Sequence, residues 1–190
     1  MHVTYGSWIG IAWCVFLLVW LITGFATKRT ERKEEGWKTA VRSVVICGMI
    51  YFLYFSPPAL AWLHQRVVPD TEAWHAAGVT LTFLGVAFAI WARLALGSNW
   101  SAKVTIKRDH ELIVRGPYRI VRNPIYTGMF LALAGTAAGL GQVRHFLPLP
   151  IMTALWTWKT MQEQQLLREQ FGDAYAAYCQ KVKAVIPYLL

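Results

Sequence analysis

Fourteen consecutive residues, Arg115-Gly-Pro-Tyr-Arg-Ile-Val-Arg-Asn-Pro-Ile-Tyr-Thr-Gly128, carry three arginines and two tyrosines and run into an apolar stretch, Ile125 to Leu140. Guanidinium groups suit carboxylates and phosphates, and a tyrosine offers a ring face to a cation and a hydroxyl to a hydrogen-bond partner. Glu163 stands just past a second apolar stretch, Phe146 to Met161, and Phe171-Gly172 follows it. A carboxylate at the end of a membrane helix can hold an ammonium or ribose hydroxyls, so the two segments together read as a cofactor site at a bilayer surface.

Each piece also has a plainer reading. Lys159 and Glu163 are spaced i, i+4 and can form a surface ion pair, but Lys before Glu is the weaker orientation, worth about 0.3 to 0.5 kcal/mol when exposed. The site reading is therefore preferred. Asn123-Pro124 suits an N-cap and a first helical residue. The same helix start would direct free N–H groups at a docked carboxylate or phosphate, and the two readings are compatible.

The elements that must position these groups are membrane helices. The chain has 190 residues, 56% hydrophobic and 15% charged, with its apolar residues in blocks, which excludes an ordinary soluble domain. Ser7 to Ala26, Val44 to Leu63 and Trp74 to Gly97 each approach the ~20 residues that cross a bilayer. Ile125 to Leu140 and Phe146 to Met161 follow as a tight hairpin joined by Gly141 to His145. The predicted fold is all-α: one polytopic membrane domain over 1–190, with five transmembrane helices, a cytoplasmic cofactor-binding loop and a C-terminal amphipathic helix. Residues 1–97 supply three spans and residues 98–190 supply the loop, the hairpin and the last helix. Ser56-Pro57-Pro58 should kink or end span two. Gly172 is a natural C-cap, and Ala174 to Lys183 would carry Tyr175, Tyr178 and Val182 on one face. Gly135-x-x-x-Gly139 reads as a helix-packing face.

A net charge of +9 invites a nucleic-acid reading, but its distribution gives another. Sixteen of the nineteen Lys and Arg fall in Lys28–Arg42, Lys103–Arg122 and from Lys159 onward; Arg66 and Arg144 lie in the other connections and Arg93 in a span. The positive-inside rule sets those three segments in the cytoplasm and the N-terminus outside. A multi-pass protein of a bacterial inner membrane is expected. Cys14, Cys47 and Cys179 are too scattered for a zinc site or a disulfide framework, and no metal is expected. Tryptophans 8, 62, 74, 100, 156 and 158 sit near span ends, as interfacial anchors do.

Leu96-Gly-Ser-Asn-Trp-Ser101, His110-Glu-Leu-Ile113, Gly116-Pro-Tyr-Arg119, Arg122-Asn-Pro-Ile-Tyr-Thr-Gly128, Glu163 and Phe171-Gly-x-x-Tyr175 with Tyr178 together resemble the isoprenylcysteine carboxyl methyltransferase family. The resemblance covers the C-terminal half and rests on several separated motifs in order. It implies S-adenosylmethionine as methyl donor, bound at the cytoplasmic ends of the last helices; no strand followed by G-x-G-x-x-G is present to suggest a dinucleotide fold. The matching donor-contacting positions are Lys103, His110, Glu111, Leu112, Ile113, Tyr118, Asn123, Pro124, Ile125, Tyr126 and Glu163. Lys159 falls where the prenylcysteine enzymes carry an arginine that meets the substrate carboxylate, and a lysine there loses bidentate recognition. Asn123 replaces a usual histidine and Gln164 a frequent second glutamate.

The implied reaction is methyl transfer to a lipophilic or prenylated carboxylate entering from the bilayer. Arg93 and Lys159 would orient the acceptor's anionic head, and Arg122 completes the catalytic set. A carboxylic acid with pKa near ~4 is ionised at neutral pH, so no general base is obligatory. Phospholipid N-methylation, thiol S-methylation, a nicotinamide-dependent reductase and a non-catalytic lipid-binding protein are the alternatives.

Overall fold

The computed structural model describes residues 4–24, 30–33, 36–55, 58–97, 105–107 and 112–184. Five long helices dominate these residues: α1 (Tyr5–Gly24), α2 (Gly36–Phe55), α3 (Glu72–Leu96), α4 (Pro124–Leu140) and α5 (Pro148–Lys181). Of these, α1 and α3 are long and apolar enough to cross a membrane, and α4 is a shorter apolar helix. Leu17, Leu18, Leu21 and Ile22 on α1 and Leu84 and Leu94 on α3 are each more than half exposed. That outward apolar surface suits hydrocarbon rather than water.

The helical architecture is as expected, with one addition. A short antiparallel ribbon joins β1 (Thr30–Lys33) to β2 (Thr105–Lys107), with Thr30 opposite Lys107 and Lys33 opposite Thr105. These two segments sit in runs whose charge had signalled topology only, yet Thr105-Ile106 is β-branched and favours extended backbone. Span two is also divided. Its helix begins at Gly36 rather than Val44 and ends at Phe55, and a 3-10 helix, Pro58–His64, follows. Pro58 opens this second piece, and a proline cannot donate to a continuing helix; Ser56 and Pro57 lie outside the described residues.

The core is the crossing of α3 and α4. A Cβ on Gly78 would fall 2.3 Å from the Gly139 nitrogen, and one on Gly128 would fall 2.6 Å from the Ala89 nitrogen. Only glycine permits such backbone contact, and the predicted small-residue face of α4 is this interface. Ala12, Phe16, Val86, Ala89 and Ala132 form the buried cluster beside it, and the Trp13 indole ties α1 to α4 by donating to Thr136 Oγ1 at 3.0 Å.

The connections sort to two ends of the bundle. At one end the Val67 N–H donates to the Gly141 carbonyl at 2.8 Å and the Val143 N–H to that of Gln65 at 3.0 Å. Arg66 Nη1 donates to the Leu140 carbonyl at 3.2 Å, and the Tyr5 hydroxyl donates to Glu72 at 3.1 Å. The α4–α5 link contains a helical turn, Val143–Phe146. Within it, burial first and then Arg144 and His64 lower the pKa of His145 to about 4. An unfolded histidine titrates near ~6.5, so the unfolded chain takes up this proton first. The contribution of neutral His145 is therefore complete above about pH 6.5 and is lost as pH falls through about 4. Thermal midpoints measured from pH 7 to 4 should fall, and H145Q should flatten that fall.

At the opposite end lie the ribbon, the cap of α3 and the C-terminal segment. Gly172 (φ 47°) breaks the helical course of α5 as predicted, since a left-handed φ is readily adopted by glycine. The piece beyond it buries Tyr175 at 2% exposure. Residues 182–184 then run back to the start of α4.

Candidate functional site

Pro124 opens α4 as its spacing predicts, but Asn123 does not cap it. Its side-chain amide donates to the Ala184 carbonyl at 2.9 Å, and its own N–H donates to the same oxygen at 3.0 Å. The Arg122 N–H donates to the Lys183 carbonyl at 2.8 Å, and Val121 and Lys183 form a parallel bridge. The C-terminal segment therefore takes the N–H groups of Arg122 and Asn123, just ahead of the first turn of α4.

Arg122 is also redirected. Its Nη1 donates to Cys179 Sγ at 2.6 Å, and its charge acts on Tyr175 and Tyr178. It braces the last helical segment. Cys179, too scattered from the other cysteines to serve a metal or disulfide, is used here as an acceptor.

Arg93 is 1% exposed, with Nη1 donating to the Gly97 carbonyl at 2.9 Å and Nη2 to the Thr23 carbonyl at 2.6 Å. A helix end leaves carbonyls without intrahelical partners, and this guanidinium satisfies carbonyls at the ends of α1 and α3 together. Two of its donors thus serve main chain and give it a positioning role, which the expectation that it orients the acceptor did not include. Its charge nevertheless lies within electrostatic reach of Tyr118.

Around Tyr118 the remaining expected residues converge. Leu112 and Ile113 are half-buried in the approach to a 3-10 helix, Gly116–Arg119, that buries Pro117 and Tyr118. The Tyr178 hydroxyl donates to the Tyr118 carbonyl at 2.6 Å, which fixes the 3-10 helix against the last segment of α5. Burial first, then Glu163, pushes the Tyr118 hydroxyl well above the usual tyrosine range; burial also pushes Tyr178 up to about 12. Both are neutral hydrogen-bonding groups at physiological pH, and neither serves as a base.

Tyr126, one turn into α4, stacks on Trp156 of α5 with ring centroids 5.6 Å apart. Lys159 Nζ lies 5.6 Å from the Tyr126 ring centre and 3.2 Å from Glu163 Oε1. The ion pair ranked second from sequence is thus made. It is not a surface pair, because the side chains are only 12% and 30% exposed. Pro124 is buried and Ile125 half-buried beside this group. Lys103, His110 and Glu111 lie outside the described residues.

Sequence reasoning missed the contribution of α2. Arg42 is 7% exposed, its guanidinium carbon 5.7 Å from the Trp158 ring centre, and its charge acts on Tyr126. Trp37, one turn earlier, packs on Trp158 at 6.2 Å. Local pattern gave no clue, because residues five apart do not share a helix face and Trp156 and Trp158 had been assigned to membrane anchoring. Among the described residues no cluster of His, Cys, Asp and Glu could hold a metal ion.

The donor set fits an adenosyl sulfonium compound in kind. It combines a carboxylate with tyrosine faces, which attract cationic groups, and with tyrosine hydroxyls for a ribose or an amino-acid end.

Comparisons with known proteins bear on the family and the fold. The model of the phospholipid methyltransferase family matches residues 73–174, more than half of the chain. Protein-S-isoprenylcysteine O-methyltransferase B of Arabidopsis thaliana is 28% identical over 120 residues, covering 59% of this chain and 58% of that protein. A probable protein-S-isoprenylcysteine O-methyltransferase of Oryza sativa subsp. japonica is 28% identical over 167 residues, covering 82% and 85%. Among solved structures, a eukaryotic intramembrane Ras methyltransferase, isoprenylcysteine carboxyl methyltransferase, superposes with a TM-score of 0.58 at 24% identity, covering 97% of this chain and 65% of that one. The chain thus spans less than two thirds of the length of the Arabidopsis protein and of the solved neighbour, and at that identity the neighbour establishes the fold. With the family match running from the start of α3 through Glu163 to the break in α5, the chain belongs to the phospholipid methyltransferase family and has an isoprenylcysteine carboxyl methyltransferase-like fold.

Proposed function

We propose that this chain is an integral membrane enzyme that transfers a methyl group from S-adenosylmethionine to the carboxylate of a lipophilic, isoprenylcysteine-like acceptor. The observation that carries the reading is the convergence of Tyr118, Tyr126, Lys159 and Glu163 at one end of the α4–α5 hairpin. The names of the curated relatives support the carboxylate over a lipid amine.

When bound, the donor supplies an electrophilic sulfonium methyl. Glu163, Tyr118 and Tyr126 would hold it, with Leu112, Ile113, Pro124 and Ile125 lining the approach and Lys103, His110 and Glu111 added by resemblance. Asn123 contributes indirectly by anchoring residues 183–184 beneath α4. Lys159 would face the acceptor's carboxylate. Because that group is already ionised at neutral pH, the chain has to supply position and exclude water rather than remove a proton. The neutral Tyr118 and Tyr178 hydroxyls accord with a site that needs no base.

Five spans, with the basic connections and the C-terminal segment in the cytoplasm, would bring donor from the aqueous side and acceptor from the bilayer. The ribbon, the α3 cap and residues 182–184 share one end of the bundle, which supports that orientation.

The test is transfer of labelled methyl by purified protein in nanodiscs to a panel of prenylcysteine acids, phosphatidylethanolamine and alkyl thiols. Base-labile label on the prenylcysteine acid is the expected result. Label confined to the lipid amine or the thiol would overturn the choice of acceptor, and absence of S-adenosylhomocysteine binding by folded protein would overturn the enzyme reading itself.

A further inference from the structure

We propose that the surface around the 3-10 helix Gly116–Arg119, carried by Val114, Arg115, Arg119 and Ile120, is a docking surface for the headgroups of anionic phospholipids. This role goes beyond the methyl transfer proposed above and does not depend on it.

The first observation is depth. A Cβ built on Gly116 would stand 3.7 Å from Ala95 Cβ and 3.7 Å from Trp91 Nε1, so the 3-10 helix lies against the last turns of α3. That helix ends at Leu96, which puts Trp91 about 7.5 Å from its end at ~1.5 Å per residue. The polar layer of each leaflet is roughly 5–7 Å thick, and an exposed tryptophan near the end of an apolar helix marks that layer. Trp91 is 48% exposed, and Leu94, closer still to the helix end, is 59% exposed. The 3-10 helix therefore sits at headgroup level.

The second is the pattern of exposure. Pro117, Tyr118 and Val121 turn inward and are buried, whereas Val114 and Ile120 are 45% and 44% exposed beside exposed Arg115 and Arg119. Each flank thus pairs an aliphatic side chain with an arginine, so that the aliphatic group can enter the acyl boundary while the guanidinium stays with phosphate. A soluble polyanion would leave both aliphatic groups in water. The third is charge. No Asp or Glu occurs from 112 to 162 or from 174 to 190, and among the described residues neither Arg115 nor Arg119 makes an ion pair. Exposed Lys181 and Lys183 extend the positive edge, since Lys183 is bridged to Val121. Such a surface complements an anionic headgroup layer.

The probe is phosphatidylglycerol, which has no amine, carboxylate or thiol, so its binding is not acceptor binding. Full-length protein in neutral detergent is titrated with phosphatidylglycerol or phosphatidylcholine, and bound lipid is counted by native mass spectrometry. Each surface cation is worth about fivefold in affinity for an anionic layer, so R115Q/R119Q should weaken phosphatidylglycerol binding by about 10- to 30-fold and leave phosphatidylcholine within about twofold of wild type. R115K/R119K should stay within about threefold of wild type, because attraction to the layer needs charge rather than a fork. Val114→Ser with Ile120→Ser should weaken both lipids alike. R168Q, which removes an exposed cation from α5, is the control and should change phosphatidylglycerol binding by less than about twofold. Unchanged phosphatidylglycerol binding in folded R115Q/R119Q would overturn the proposal, and so would an equal loss in R168Q, which would assign the effect to net charge. Glycerol 3-phosphate or an RNA oligonucleotide bound as tightly as phosphatidylglycerol, and lost in R115Q/R119Q, would overturn it in favour of a soluble anion. Should the double variant fail to fold, the single variants R115Q and R119Q decide: each should lose about fivefold, and wild-type affinity in both rejects the surface.

Discussion

Replacing Glu163 with glutamine should weaken binding of S-adenosylhomocysteine by about 10- to 100-fold in calorimetry, the worth of a hydrogen bond to a charged group in a partly buried site. The carboxylate is 30% exposed and its partner Lys159 only 12%, so the substitution removes a donor contact and also leaves a largely buried ammonium without its counter-charge. The second effect would lower stability rather than ligand specificity. The double variant Lys159→Met with Glu163→Gln separates them: it should recover much of the thermal midpoint but none of the donor affinity. If E163Q, folded, binds S-adenosylhomocysteine within about threefold of wild type, Glu163 serves the ion pair alone and the donor site lies elsewhere.

Gly85→Ala is the second large effect. A Cβ there would stand 2.3 Å from the Ala132 nitrogen and 2.6 Å from the Gly128 carbonyl oxygen. These are main-chain atoms of α4, which cannot swing aside as a side-chain tip can. The helices must separate or slide, at a cost at the upper end of the ~1–3 kcal/mol typical of overpacking. Gly10→Ala on α1 is the control, since nothing lies within 4 Å of its added methyl, and it should be neutral or slightly stabilising. Thermal unfolding in detergent reads both. Because Gly128 lies in the first turns of the helix that carries Tyr126, G85A should also weaken S-adenosylhomocysteine binding. A midpoint unchanged from wild type would mean that α3 and α4 are not in main-chain contact.

How far these features could be read from sequence depended on whether one residue type had one physical meaning. Asn-Pro at 123–124 announced the start of α4 because proline tolerates few other helical positions, and Gly172 marked the break in α5 because only a residue without Cβ readily takes φ 47°. Glycine spacing on α4 marked a packing face but could not name α3 as its partner. Charge was the ambiguous signal. Arg42 and the cations of residues 28–33 all counted toward orientation, yet one lies buried on Trp158 and others fall in a β-ribbon. Arg93, Arg122 and Asn123 were assigned to ligands because their types suit ligands; the structure commits them to main-chain carbonyls, to a thiol and to the residue 184 carbonyl. Three of those four partners lie 57 or more positions away, a separation that local pattern does not encode.

The parallel bridge between Val121 and Lys183, with Asn123 holding Ala184, bears on biosynthesis. It closes α4 and α5 into a ring whose final stitch is made by residues translated after α1 to α5. Synthesis proceeds from the N-terminus, and earlier segments can dock while later ones are still being made. The 3-10 helix bearing Tyr118 and the first turn of α4 therefore wait for residues 182–184 before their backbone is pinned. Nascent chains arrested before that point would be inserted in the membrane yet unready for cofactor, so ligand competence should arise as a step distinct from, and later than, helix insertion.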